Sequence, residues 1–479
     1  MTLWDTLLRI APELILAIGA TDLLLVAAFR PGAAGYRFIS WSAVALLGLA
    51  ALSLLGPAGN GGAIFGGQFI ADPFATFAKL LIYFASAIAI IIAGRHFERD
   101  GQLRGEYPVL ILLSAIGMSI MVSAADFLML YIGLELQSLA AYVLASFARK
   151  DGRSAEAGLK YFVLGALASG ILLYGMSLLY GFSGTTSFAG VAEAMGDGLS
   201  AGEMFGLVFV LAGLAFKISA VPFHMWTPDV YEGAPTPVTA FFASAPKVAA
   251  LALTTRVVIS AMGPSGSAWQ QIIIFMALAS IVLGAVAAIN QPNIKRLLAY
   301  SSINNVGFAL IGLAAGTAEG VAALMSYLFI YIMMTVGSFV CVLQMKDKDG
   351  NPVETIASLA GLSRSRPGLA AAFAIFMFSL AGIPPLFGFW AKFLVFDAAV
   401  GAGLTPLAAI GIAASVIGAF YYLKIIKTIY FDAPAEGFAP ARSAIDYGII
   451  TACAAVIVFG YLLNPWLGQA SAAAAASLF

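Results

Sequence analysis

The chain has 479 residues, 61% hydrophobic and only 10% charged, with 24 basic residues against 24 acidic ones. A soluble domain carries about 25% charged residues, so this composition excludes a large soluble enzyme and points to a polytopic membrane protein. The zero net charge, with no basic patch interleaved with aromatics, excludes nucleic acid as a partner.

The first apolar run extends from about Pro12 to Phe29, after Asp5 and Arg9. It lacks a basic leader and an obvious cleavage site, which predicts a retained helix and not a signal peptide. A spanning helix needs about 20 mostly apolar residues. Fourteen candidates follow in order: 12–29, 38–56, 74–94, 107–124, 127–147, 155–180, 203–224, 236–260, 270–289, 297–315, 320–345, 368–395, 404–429 and 446–466. The tenth has a polar start, with Ser301, Ser302, Asn304 and Asn305. Glycine and proline mark the loops at Gly59, Gly61 and Gly62, at Gly181 and Gly184, and at Pro264 and Gly266. Cys341 and Cys453 both fall inside apolar runs and read as small buried hydrophobes, not as a disulfide or metal site.

Basic residues occupy alternate loops. They are Arg30 and Arg37; Arg95, Arg99 and Arg104; Arg149, Lys150 and Arg153; Lys295 and Arg296; Lys346, Lys348, Arg364 and Arg366; and Arg442, just after Lys424 and Lys427. The intervening loops hold acids such as Glu193, Asp197 and Glu319. The positive-inside rule puts the basic set in the cytoplasm and both termini on the opposite side. One loop disobeys: 225–235 has cytoplasmic parity but carries Asp229 and Glu232.

Two spans are interrupted. One ends Lys217-Ile218-Ser219-Ala220-Val221-Pro222-Phe223-His224; the other contains Leu380-Ala381-Gly382-Ile383-Pro384-Pro385-Leu386-Phe387-Gly388. Proline removes a backbone donor and clashes with the preceding turn, so each helix should break there. Freed carbonyls at membrane depth are tolerated only where they face protein or water. Paired interrupted segments point to inverted repeats and to an ion path; isolated proline kinks are the plainer alternative. The expected fold class is an all-α polytopic membrane protein. It has about fourteen transmembrane helices, with two inverted five-helix repeats that each contain a broken helix. The expected segments are 1–106 (three N-terminal helices), 107–262 (first repeat), 263–430 (second repeat) and 431–479 (final helix and tail).

Glu135, Lys217, Lys247 and Lys392 each sit inside a long apolar run. A charge at mid-membrane costs roughly 2.5–3.5 kcal/mol on insertion scales, so repeated buried charges suggest ion or proton handling. Glu135 and Lys217 are expected to form a switchable pair, tight when Lys217 holds its proton and loose when it releases it. Lys160 could compete for Glu135, and His224 could bridge, because imidazole titrates near neutral pH. Each has a structural alternative: Lys160 snorkelling to the membrane edge, His224 a satisfied buried histidine, Glu135 with Lys217 a static ion pair, and Lys392 a partner for a neighbouring subunit. Lys79 and Arg256 are expected to reach towards the opposite face. Glu13 and Asp22 read as near-surface or interface groups, and Asp126 and Asp397 as helix caps. There is no glycine-rich phosphate loop and no cysteine cluster, and only two histidines are present. Redox centres and metals are therefore expected elsewhere.

The run from Phe216 to Ala240, through Met225-Trp226-Thr227-Pro228-Asp229, resembles the signature of the antiporter-like subunits of respiratory complex I and their Mrp relatives. So do Gln291-Pro292-Asn293-Ile294-Lys295-Arg296 and the stretch Gly382 to Lys392. The resemblance covers about 107–430. Within the group it is greatest to subunit N of bacterial NADH-quinone oxidoreductase: the length argues against subunit L, and Lys392 against subunit M. The run Lys160-Tyr161-Phe162-Val163-Leu164-Gly165 is similar to that branch as well.

The resemblance implies a proton-translocating membrane-arm subunit in the bacterial inner membrane. Its relay would be Glu135, Lys217, Lys247 and Lys392, with weaker roles for Lys160 and His224. The chain would hold no cofactor or metal, with NADH, FMN, iron–sulfur clusters and quinone in partner subunits. Its partners would be the other membrane-arm subunits, the bilayer and protons. An Mrp-type sodium–proton antiporter subunit is the alternative.

Overall fold

The computed structural model describes every residue except Met1, Asp100, Asp197, Glu436, Pro440, Ala441 and Arg442. Asp197 and Arg442, both used in the loop-charge pattern, therefore lie outside the described residues. The main helices are α1 Ala11–Phe29, α2 Ala33–Ser53, α3 Pro73–Arg99, α4 Glu106–Ser123, α5 Phe127–Ala145, α6 Gly152–Ser183, α7 Ala201–Ile218, α8 Trp226–Gly233, α9 Thr236–Phe242 and α10 Ala245–Arg256. They continue with α11 Gly266–Ala288, α12 Ile294–Ala314, α13 Ala318–Leu343, α14 Pro367–Ala381, α15 Phe387–Gly401, α16 Thr405–Phe431 and α17 Ala444–Phe459.

Among the described residues, thirteen helical stretches are long and apolar enough to cross a membrane. They match thirteen of the fourteen expected spans. The exception is 368–395, which is two shorter helices, α14 and α15. The expected span 203–224 also ends early, at Ile218. A short antiparallel hairpin, β1 Gly62–Ile64 with β2 Phe69–Ala71, fills the glycine-marked loop before α3 and had no sequence signal. The chain end is helical too, over Asn464–Ala476.

The chain forms two compact units. Unit 1 comprises Met1–Ile218, Gly233–Ile272 and Ala470–Phe479; unit 2 comprises Ser219–Glu232 and Ile273–Gln469. In unit 1, α4 packs on α5 and α6 on α7, while α10 packs on α3 and α4. Asp126 caps α5, its carboxylate accepting from Leu128 N at 2.8 Å and from Thr186 Oγ1 at 2.7 Å. Asp397 is no cap: it lies inside α15, exposed.

Two buried cations of unit 1 do not reach for a membrane face as expected. Arg256, at the end of α10, donates from Nη1 and Nη2 to Asp72, each at 2.8 Å, and from Nε to Val122 O at 3.0 Å. Lys79 of α3 lies 2.7 Å from Glu13 of α1. A cation deep in a helix layer satisfies its charge locally when an acid on a neighbouring helix can meet it.

In unit 2, α13 packs on α15 and α17, and α14 on α16. The polar start of α12 is explained by partners inside the protein. Ser301 shares a hydrogen bond with Tyr422 OH at 2.5 Å and Ser302 one with Tyr331 OH at 2.9 Å. Asn304 donates to Ile281 O, and Tyr327 donates to Asn305, both at 2.7 Å. Hydroxyl and amide groups at helix–helix interfaces thus replace water.

The acidic loop also finds its counter-charge. Arg296 Nη1 meets Asp229 at 2.6 Å and Glu232 at 3.0 Å. Lys295 meets Glu354 and the Glu232 carbonyl, both at 2.9 Å. The acids therefore sit among basic residues of the same unit, and their sign no longer conflicts with the loop's parity.

Asp72→Ala would leave the Arg256 guanidinium buried without its counter-charge, at a cost of about 3–5 kcal/mol. The exposed Glu156→Ala should change stability by about 1 kcal/mol or less. Thermal unfolding of the detergent-solubilised protein checks both, and equal midpoints for the two variants would count against the clamp.

Candidate functional site

The first site of interest builds on one face of α5. Glu135, Ser138 and Tyr142 are spaced three and four residues apart, so they share a helix face. Lys217, the penultimate residue of α7, points at that face. Its ammonium donates to Ser138 Oγ at 2.8 Å and approaches Tyr142 OH at 3.5 Å. Ser138 Oγ in turn donates to Leu134 O at 2.7 Å, which fixes its rotamer.

Glu135 is half-buried, and its Oε1 is enclosed without a hydrogen-bond partner. Its charge bears on Lys217 electrostatically, but the two do not form a contact ion pair. The static ion pair considered from the sequence is therefore not the arrangement seen; the ammonium rests on neutral oxygens next to an unpartnered carboxylate.

Tyr142 is held by close packing. A methyl group on Gly165 of α6 would lie 2.1 Å from the Tyr142 hydroxyl, and Tyr161 packs edge-on against the Tyr142 ring at 4.9 Å. The glycine at 165 is needed for this approach.

The end of α7 completes the unit 1 arrangement. α7 stops at Ile218 because Ser219 turns left-handed, at φ +62°, three residues before Pro222. The last carbonyls of a helix have no partner within it and carry its negative dipole end. Lys247, near the start of α10, donates to Ile218 O at 2.9 Å.

Unit 2 repeats this device at its own break. α14 ends at Ala381, with Gly382 left-handed at φ +84°, and α15 begins at Phe387. Lys392 of α15 donates to Ala381 O and to Ser415 Oγ, both at 3.1 Å, and stands 4.4 Å from the Phe308 ring centroid. It borders a cleft of about 510 Å³ lined by Ile383, Phe393, Phe396, Val400, Ile412 and Val416. In both units, then, a lysine sits on the last carbonyl of an interrupted helix. Relative exposure is 9% for Lys217, 1% for Lys247 and 7% for Lys392.

Two weaker candidates fall elsewhere. Lys160 is not on Glu135; it is partly exposed and pairs with Glu156 one turn back at 2.8 Å, which is the snorkelling arrangement. His224 lies in the turn before α8, half-buried, with Nδ1 enclosed and without a hydrogen-bond partner. Sequence reasoning missed Ser138, Tyr142 and Ser415 as lysine partners. The first two are spaced along the helix from Glu135 and were findable from it. Ser415 had no signal.

A family profile described as "NADH:quinone oxidoreductase/Mrp antiporter, TM" matches residues 124–418. NADH-quinone oxidoreductase subunit N of Rhizorhabdus wittichii is 69% identical over the full length of both chains. The protein of the same designation from Erythrobacter litoralis is 60% identical, over 100% of this chain and 99% of that one. The chain belongs to the subunit N family of NADH-quinone oxidoreductases.

Among solved structures, a chain of respiratory complex I from Thermus thermophilus superposes with a TM-score of 0.83 at 31% identity, covering 96% of this chain and 99% of that one. A chain of the Mrp complex from Dietzia sp. superposes with a TM-score of 0.85 at 23% identity, covering 100% and 98%, which is a likeness of fold alone. As a subunit N, the chain is an antiporter-like membrane-arm component of an oxidoreductase complex, multi-pass in the bilayer.

Gly165→Ala should push Tyr142 off Lys217 and lower NADH-quinone reductase activity of the assembled complex on the order of tenfold, as a hydrogen bond to a charged group is worth about 1.5–3 kcal/mol. Steady-state assays of purified complex are the check. Wild-type rates would show that the Tyr142 contact is dispensable.

Proposed function

We propose that this chain translocates protons within NADH-quinone oxidoreductase, with Glu135, Lys217 and Lys247 in unit 1 and Lys392 in unit 2 as the groups that hold them. Redox chemistry with NADH, FMN, iron–sulfur clusters and quinone takes place in partner subunits, and its energy reaches this chain through the buried charges. The chain lies in the bacterial inner membrane with both termini periplasmic, the orientation that the alternating basic loops favour. Residues 107–262 and 263–430 act as inverted repeats, a reading supported by a broken helix and a carbonyl-bound lysine in each.

The observation that carries this reading is the setting of Lys217. Its ammonium rests on Ser138 and Tyr142 beside an unpartnered Glu135. A hydroxyl can accept from the ammonium or donate to the free amine, so either protonation state of Lys217 can be held. Closure of Glu135 onto Lys217 favours the charged state, and reopening favours release.

The magnitudes agree. Moving one charge against the membrane potential costs about 2.3 kcal/mol per 100 mV, and a change of about three pKa units is worth roughly 4 kcal/mol. His224 and Lys160 have lesser parts: His224, whose pKa burial pushes below the ordinary imidazole value, acts as a neutral bridge, and Lys160 meets protons at the membrane edge. An Mrp-type sodium–proton antiporter subunit has the weaker support: the family profile spans both groups, but the full-length relatives at 60–69% identity are of subunit N, and the Mrp chain is only 23% identical.

Lys217→Ala and Glu135→Ala should each sharply lower NADH-quinone activity and proton pumping while the complex still assembles. Purified complex in proteoliposomes, with a pH-sensitive dye, tests this. Unchanged coupled turnover in either variant would reject the assigned role. Sodium dependence of the transported charge would favour the antiporter reading.

A further inference from the structure

Unit 1 contains a second set of buried ionisable groups, outside the 124–418 family match and unrelated to Lys217. Glu13 on α1, Lys79 and Tyr83 on α3, and Ser119 on α4 meet where three helices pack. All four side chains are at least nine-tenths buried. Lys79 Nζ lies 2.7 Å from Glu13 Oε1. Tyr83 OH and Ser119 Oγ are 2.5 Å apart, and either can be the donor. Tyr83 is one turn deeper along α3 than Lys79, on the same face, and the charge of Glu13 bears on it.

The neighbouring Asp72–Arg256 pair shows how a static clamp is built. There, three guanidinium nitrogens are matched to oxygens at 2.8–3.0 Å. Arginine, moreover, never gives up its proton in a protein.

The Glu13–Lys79 contact is built differently. The close approach is not an aligned hydrogen bond, and among the described residues neither Glu13 oxygen nor Lys79 Nζ has a hydrogen-bond partner. The hydroxyls of Ser86, Ser114 and Ser123 on α3 and α4 are likewise enclosed and unpartnered. An under-coordinated buried pair fastens helices poorly; apolar residues of similar volume do so at least as well. Lysine and glutamate, however, can exchange a proton.

We propose that Glu13 and Lys79 form a second proton-exchanging pair, which passes protons between the membrane face at which α1 and α3 begin and the Tyr83–Ser119 hydroxyl pair. The Glu13 carboxylate, enclosed near the start of α1, takes a proton from hydronium that reaches it from that membrane face: one O–H bond forms on Glu13, one breaks, and water leaves. Lys79 then gives an Nζ–H proton to the Tyr83 oxygen as Tyr83 passes its own to Ser119, whose hydroxyl proton leaves to water. Finally the Glu13 O–H proton moves to the Lys79 amine, and the ion pair is restored. No electrons move, and one proton is carried per cycle. This goes beyond the Lys217 relay and rests only on the chain's place in the complex.

The test uses the intact complex in proteoliposomes, with three variants: Lys79→Arg, which keeps the charge but cannot release it, Glu13→Gln combined with Lys79→Leu, which removes both charges, and Lys217→Ala as a separate arm. The proposal expects the first two to assemble with a severalfold loss of NADH-driven acidification. A purely structural pair predicts wild-type acidification in Lys79→Arg. If Lys79→Arg does not assemble, the neutral double variant decides. Normal acidification in the assembled double variant, or its failure to assemble, overturns the proposal. The Lys217→Ala arm reports on the other relay alone, so the two readings can fail separately.

Discussion

An interrupted helix in a membrane leaves carbonyl oxygens with no hydrogen to accept, and a lysine in the same layer has hydrogens with nowhere to go. Either alone is expensive. This chain puts them together twice, Lys247 on Ile218 O and Lys392 on Ala381 O. The carbonyl end of a helix also carries roughly half a negative charge, so the ammonium meets a partial charge and not a full one. A carboxylate at the same distance would bind more tightly and release less readily. The break is thus a holding site of intermediate strength, which suits the loading and unloading proposed for these lysines.

Such a site works only if its surroundings stay in place. α10 carries Lys247 near its start and Arg256 at its end, and Arg256 is bound to Asp72 and to Val122 O. The permanent charge at one end anchors the helix that presents, at the other, the lysine proposed to exchange its proton. Tyr142 is fixed by the missing side chain at Gly165. Lys392 is bounded by Gly382, where an added methyl would come within 2.9 Å of its Cδ. Small residues and saturated ion pairs surround the lysines, while the lysines themselves keep adaptable partners.

The helical architecture could be read from long apolar runs, because a bilayer forces every backbone group into a helix. Both breaks could be read from Pro222 and from Pro384 with Pro385, since proline acts locally. The end of α7 came earlier than proline alone indicated, because Ser219 already leaves the helical region. What resisted reading was pairing between helices distant in sequence. Nothing near Lys79 announces Glu13, and nothing near Arg256 announces Asp72; in the sequence each reads as reaching for a membrane face, for want of a visible partner. The β1–β2 hairpin was also unmarked, since Gly62 to Ala71 reads simply as a glycine-rich loop. Glu135 and Lys217 were legible as buried charges. That Lys217 rests on Ser138 and Tyr142, and not on Glu135, depends on tertiary packing that the sequence does not show.

The partners of the buried cations sort by chemistry. Two arginines meet carboxylates, Arg256 with Asp72 and Arg296 with Asp229 and Glu232, while Arg366 donates to the carbonyls of Gln344 and Ala439. A guanidinium stays charged at any physiological pH, so these contacts are permanent and can serve as framework. Lys217 and Lys392 meet hydroxyls and a carbonyl instead. Lys295 is a lysine used as framework, and there it is given both a carboxylate and a carbonyl. The rule separates fixed charge from movable charge by the partner offered. By that rule the Glu13–Lys79 pair is the exception: it has the carboxylate of a framework contact without the coordination of one. Its carboxylate can itself take the proton, so the acid acts as a reactant where elsewhere acids serve as anchors.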